Sequence, residues 1–193
     1  MVSGEELIEF AKGKIALILF FAILYATVFV ASKEFGLANA IKTTGAIIYL
    51  PAGVRLIACL VGRFWGALGI FAATCFFVAP NVFPNESSSF HFAIAFINTT
   101  SVLISVLLTL KFFKISDDLA NLKFTQLPFI DLIATLSQAF FYYLFLYLVN
   151  YVDASELLPK FVSQMTGNFL GCMVFMLSFL LLANLLQRKS AIR

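Results

Sequence analysis

Charge is what this sequence has least of. Only 12% of its 193 residues are Asp, Glu, Lys or Arg, about half the share in an ordinary soluble domain. Helices so poor in charge cannot keep a wetted face along their length, which excludes a water-soluble bundle. A single histidine rules out a multi-histidine metal centre within one chain. Cys59, Cys75 and Cys172 show neither the CxxC pair nor metal-site spacing, and they read as small buried hydrophobes. There is no serine elbow, Walker loop, paired-carboxylate motif or HExxH sequence. Neither enzyme chemistry nor a cofactor is therefore expected. The basic residues form no stripe, so a nucleic-acid partner is not expected either.

What fills the chain is apolar: 62% hydrophobic residues, 24 of them Phe, and a mean hydropathy of +0.99. Blocks such as IALILFFAILYATVFVA and LGCMVFMLSFLLLANLL do not alternate apolar with polar, as strands of a membrane barrel would. The fold class expected is all-α, a polytopic helical membrane bundle of about six transmembrane helices. It forms one integral membrane domain over residues 1–193, with lipids as partners. The spans read from the sequence are Ile15 to Val30, Thr44 to Val61, Trp65 to Ala79, Phe90 to Leu110, Leu127 to Val149 and Thr166 to Leu186. The first block is long, carries Glu5, Glu6 and Glu9 before it, and lacks a small-x-small cleavage site, so it reads as a span and not a signal peptide.

Basic residues orient the bundle. With both termini cytoplasmic, nine (Lys12, Lys14, Arg63, Lys111, Lys114, Lys123, Arg188, Lys189 and Arg193) fall inside, against Lys33, Lys42 and Lys160 outside. That is the positive-inside bias of an even number of spans, expected here in a bacterial cytoplasmic (inner) membrane. Residues 1–12 become a short cytoplasmic N-terminal segment, its first nine lying along or near the membrane surface. Gly62 to Phe64 is a tight inside turn, and Pro80 to Ser89 a longer outside loop with a helix cap at Ser88 or Ser89. Asn85-Glu86-Ser87 matches the glycosylation pattern, which carries little weight in a bacterial setting. Thr125 or Gln126 with Pro128 marks a helix start, and Tyr151 to Lys160 a short interfacial helix ended by Pro159.

Arg55 is the most unusual residue. It stands eight positions before Arg63, about 12 Å deeper along a helix, where a charge must snorkel, meet water or find a partner. Asp131, eight positions beyond Lys123, shares its leaflet and is the candidate partner, for a structural ion pair or for ligand handling. Pro51 and Gly53 either break the second span and bare backbone groups to a ligand, or are an inert kink. Asn98, Gln138 and Asn168 add amides to the last three spans, with Asn168 expected nearest the surface. They either tie helices together or face a ligand. Gly62, Gly66 and Gly69, with Gly167 and Gly171, are small-residue packing seams within the chain or toward another subunit. Phe20, Phe21, Phe140, Phe141, Tyr142 and Tyr143 make aromatic faces for an apolar ligand, lipid or a partner, and the lone His91 a capping or interfacial position.

The run YLPAGVRLIACLVGRFWGALGIFAA, with Tyr49, Pro51 and Gly53, resembles the membrane-associated sensor domains that precede histidine kinase and diguanylate cyclase modules. FINTTSVLISVLLTLKFF, with Asn98, is similar to a later span of that family, and GNFLGCMVFMLSFLLL to its final segment, with Asn168 at an acidic position. The tryptophan before proline is absent, and the 193 residues contain no cytoplasmic output module. The resemblance implies a detached sensor or scaffold module acting through a separate membrane-protein partner. The same hairpin resembles the substrate-binding subunits of energy-coupling-factor vitamin transporters, six-span proteins of similar length that bind a small nutrient from outside. The expectation is a non-enzymatic module that binds a small molecule or a membrane protein, with a nutrient-transporter subunit or a structural subunit as alternatives.

Overall fold

The computed structural model describes residues 4–34 and 48–190. Among these there are six helices and no strand: α1 (Gly4–Glu34), α2 (Pro51–Val61), α3 (Arg63–Val82), α4 (Ser88–Phe112), α5 (Leu127–Leu148) and α6 (Ala154–Ser190). All but α2 are long and apolar enough to cross a bilayer, and the bundle is inside-out relative to a soluble one. Phe76 and Phe112 are each 81% exposed, whereas Arg55, Asp131, Gln138 and Asn168 are exposed by 4% or less. Water would penalise that arrangement and lipid favours it. The chain is a multi-pass helical membrane protein.

Several helix limits differ from the sequence expectation. From Gly4 onward the N-terminal polar segment continues straight into α1 instead of forming a separate strip. The second span was expected from Thr44, which lies outside the described residues, as does Lys42. What is described of it, α2, has 11 residues, about 16 Å of helix and half a hydrocarbon core. Pro159 does not end an interfacial helix. It sits in the second turn of the 37-residue α6, near an end, where its missing N–H costs a single ladder bond. The helix cap before α4 is Ser87, one residue earlier than expected, its hydroxyl accepting the Phe90 N–H at 3.3 Å. A π-helical turn, Thr74–Val78, interrupts α3 just before Pro80. Such turns absorb the ladder register that proline disturbs.

Helix directions follow from contacts at the two ends. The α2–α3 turn meets the α4–α5 loop, where Arg63 Nη2 donates to the Asp117 carbonyl at 3.3 Å, and Lys14 lies over the Trp65 ring at 5.7 Å. Arg63, Lys111, Lys114 and Lys123 share this basic end with the start of α1. At the far end Phe83 packs edge-on against Tyr151, and His91 Nε2 bonds the Phe83 carbonyl at 2.8 Å. The histidine thus ties the α3–α4 loop to the first turn of α4.

Helix α2 is the hub: it packs on α1, α3, α4 and α6, and every residue from Pro51 to Leu60 except Ile57 is buried. Close approach at small residues makes this possible. A Cβ on Gly66 would run into the Ala58 carbonyl across the α2–α3 hairpin, and one on Gly171 into the backbone of Tyr49. Gly69 faces the backbone of α1 at Ile18 in the same way. Gly62, Gly66, Gly69, Gly167 and Gly171 are all buried, so both seams are used within the chain. In the hairpin turn the left-handed conformation falls on Arg63, with φ of 49°, and not on Gly62, with φ of −81°.

Gly66→Val is expected to destabilise the bundle by on the order of 3 kcal/mol, since backbone is what the side chain would strike. Gly13→Ala, whose Cβ meets nothing within 4 Å, is expected to leave stability unchanged or slightly raised. Unfolding midpoints of the two variants in mild detergent check both.

Candidate functional site

Helix α2, as described, lies in the basic half of the core, and the half toward the far end is lined by its neighbours. A cavity of about 440 Å³ occupies that half, within the range of small-molecule sites. It reaches the far end at Phe83, Pro84, Asn85 and Tyr151 and has Arg55 and Tyr49 in its floor. Its walls come from the far-end halves of α1, α4, α5 and α6 and from the π-helical turn of α3.

One wall is an amide chain. Asn168 Nδ2 donates to Gln138 Oε1 at 2.7 Å, and Gln138 Nε2 donates to Asn98 Oδ1 at 2.6 Å. The three expected amides therefore meet at a single level and line the cavity together. Asn168 is not nearest the surface. Helix α6 begins at Ala154 instead of near residue 166, which places Asn168 four turns in. Aromatic groups line the cavity as well: Tyr25 and Tyr49, with hydroxyls 3.3 Å apart, and Tyr142 and Tyr143, one turn beyond Gln138 on α5. The aromatic doublets divide as helical geometry requires. Phe20, Phe140 and Phe141 face outward, while Phe21 is buried and Tyr142 and Tyr143 turn toward the cavity.

Arg55 is buried, lines the cavity, and makes no hydrogen bond or ion pair among the described residues. The expected Arg55–Asp131 salt bridge is not formed. Asp131 sits outside the cavity lining, buried between α5 and α6, with Oδ1 accepting the Thr135 hydroxyl at 3.3 Å and Oδ2 without a partner. Cys172 lies against the same carboxyl group. Asp131 is therefore within electrostatic reach of the guanidinium without satisfying it.

Pro51 and Gly53 do not bare backbone to the cavity. Pro51 is the first residue of α2, where its missing N–H costs nothing, and Gly53 makes room for the Phe175 ring, 2.6 Å from where a Cβ would stand. The backbone amides that follow are occupied: Ala52 and Gly53 donate to the carbonyls of Tyr49 and Leu50, each at 3.0 Å. Thr74 is the lining residue that sequence reasoning missed. Its hydroxyl is buried without a partner in the π-helical turn. A lone threonine in an apolar span carries no signal of that, because helical threonines ordinarily bond back to their own carbonyls.

Gln138→Ala is expected to cost about 1–2 kcal/mol, because it strands the amides of Asn98 and Asn168 at membrane depth. A double-mutant cycle with Asn98→Ala in reversible unfolding is expected to return a coupling of about 1 kcal/mol.

Compared with known proteins, the chain matches no family model, no curated protein and no solved structure.

Proposed function

We propose that this chain is a non-enzymatic ligand-binding module of the bacterial cytoplasmic membrane. It takes a small molecule from outside and passes the effect of binding to a separate membrane-protein partner, as a sensor does. The observation that carries this reading is the cavity: about 440 Å³, reaching the far end, and lined by an amide chain, tyrosines and an arginine without a partner among the described residues. A bundle that only filled space would close such a volume, because each unfilled pocket forfeits packing.

Orientation supports the direction of access. The basic end holds Arg63, Lys111, Lys114 and Lys123 and is the cytoplasmic one by the positive-inside rule, which puts the cavity mouth outside and both termini within the cytoplasm. A mouth on that side equally favours a second reading, the substrate-binding subunit of a small-nutrient transporter. The structural-subunit reading loses its main support. The glycine seams it would dock through are occupied by the chain's own α1, α2, Tyr49 and α6.

Native mass spectrometry of gently extracted protein is expected to find one small molecule per chain. Gln164→Trp, at a half-buried wall position, is expected to fold and lose it. A chain that never retains a small molecule, and whose partner contacts survive Gln164→Trp unchanged, would sink the reading. Coupling subunits retained alongside a nutrient favour transport, and a signalling partner favours sensing.

A further inference from the structure

We propose that the cavity takes a small organic monoanion, a carboxylate on an aromatic or apolar body, with its acid group held by the Arg55 guanidinium. The inference rests on the ligand-binding reading above and adds the chemical class. Three independent observations converge on it.

The first is the cost of Arg55 as it stands. A guanidinium carries five N–H donors, and in this chain none of them meets an acceptor among the described residues. A cation held so deep without a protein partner is costly unless something in the cavity meets it. Asp131, the acid within electrostatic reach, keeps to Thr135 and Cys172. Residues 35–47, which precede the floor of the cavity in the chain, contain neither Asp nor Glu, so that segment has no carboxylate to offer.

The second is the sign of the lining. Among the described residues, the charged ones that line the cavity are Arg55 and Lys160, and none is Asp or Glu. Lys160 Nζ already meets Glu156 Oε2 at 2.7 Å, one turn away on α6. Among the described residues Arg55 is therefore the unspent charge, and one free cation matches one negative charge better than two. A planar carboxylate fits the guanidinium fork in a bidentate manner.

The third is the rest of the lining. Thr74 lines the same cavity, and its Oγ1 is buried and unpartnered, a polar group with bonding capacity left over. Tyr25, Tyr142 and Tyr143 offer ring faces for an aromatic or apolar body. The volume is several times that of an inorganic ion, so chloride alone does not account for it.

Isothermal titration of the full chain in nanodiscs at pH 7 tests this with two probes of nearly the same shape, 4-hydroxyphenylacetate and its neutral amide 4-hydroxyphenylacetamide. The acid is expected to bind at least tenfold more tightly than the amide. In Arg55→Gln that preference is expected to vanish, and in Arg55→Lys to survive in part. Equal binding of the two probes to the unaltered chain overturns the anion assignment and leaves the ligand-binding reading standing. Binding of neither probe at millimolar concentration overturns the assignment and counts against the binding site itself. A full acid preference in folded Arg55→Gln overturns the role of Arg55. Should that variant fail to fold, the two-probe comparison on the unaltered chain decides alone.

Discussion

Everything unusual in this bundle depends on one backbone contact at membrane depth. Tyr49, outside any helix just before α2, donates its N–H to the Gly167 carbonyl of α6 at 2.9 Å. Lipid offers no water to satisfy a free amide, so a helix can begin midway through a bilayer only where protein supplies the partner. Gly171 allows that approach, since any side chain there would strike the Tyr49 backbone. With its start held in place, α2 lies in the basic half of the core, and among the described residues a cavity lies above Arg55.

The open half is maintained by polar pairing and not by apolar packing. The bond chain from Asn168 through Gln138 to Asn98 joins α6, α5 and α4 at the level of the cavity, and His91 ties the α3–α4 loop to α4 nearer the mouth. Below, the core returns to ordinary close packing around Leu56, Leu60, Val106 and Ile130. Rigid packing at one end and hydrogen-bonded walls at the other suit a binding site, because the walls hold polar groups in place with little protein movement. The π-helical turn of α3 belongs to the same half. It turns Thr74 and Val78 to the cavity while Phe76 remains toward lipid.

Composition and charge placement determined the class of this protein before any coordinates. A chain with so few charges and such long unbroken apolar blocks has only lipid as a workable solvent, and the clustering of Arg63, Lys111, Lys114 and Lys123 at one end follows from the order of blocks and loops alone. The α2–α3 hairpin was legible for the same reason: three residues between apolar runs leave no other path. Arg55 was legible as a candidate because a buried charge is costly wherever its helix lies.

Only the tertiary structure decided what surrounds those residues. Hydropathy reports how apolar a segment is and not what it touches, so a fully buried half-length helix and a lipid-facing span look alike. That is why the glycine seams were left open between internal and external use. The missing Arg55–Asp131 pair has a similar cause. Depth along two helices can be counted from sequence, but the rotation of each about its own axis is set by packing against neighbours. That rotation sends Asp131 toward Thr135 and Cys172 on the α5–α6 side and leaves Arg55 facing the cavity. The amide chain depends on the same rotations, with Gln138 brought within 2.7 Å of both Asn98, 40 positions before it, and Asn168, 30 positions after it, as α4, α5 and α6 pack together.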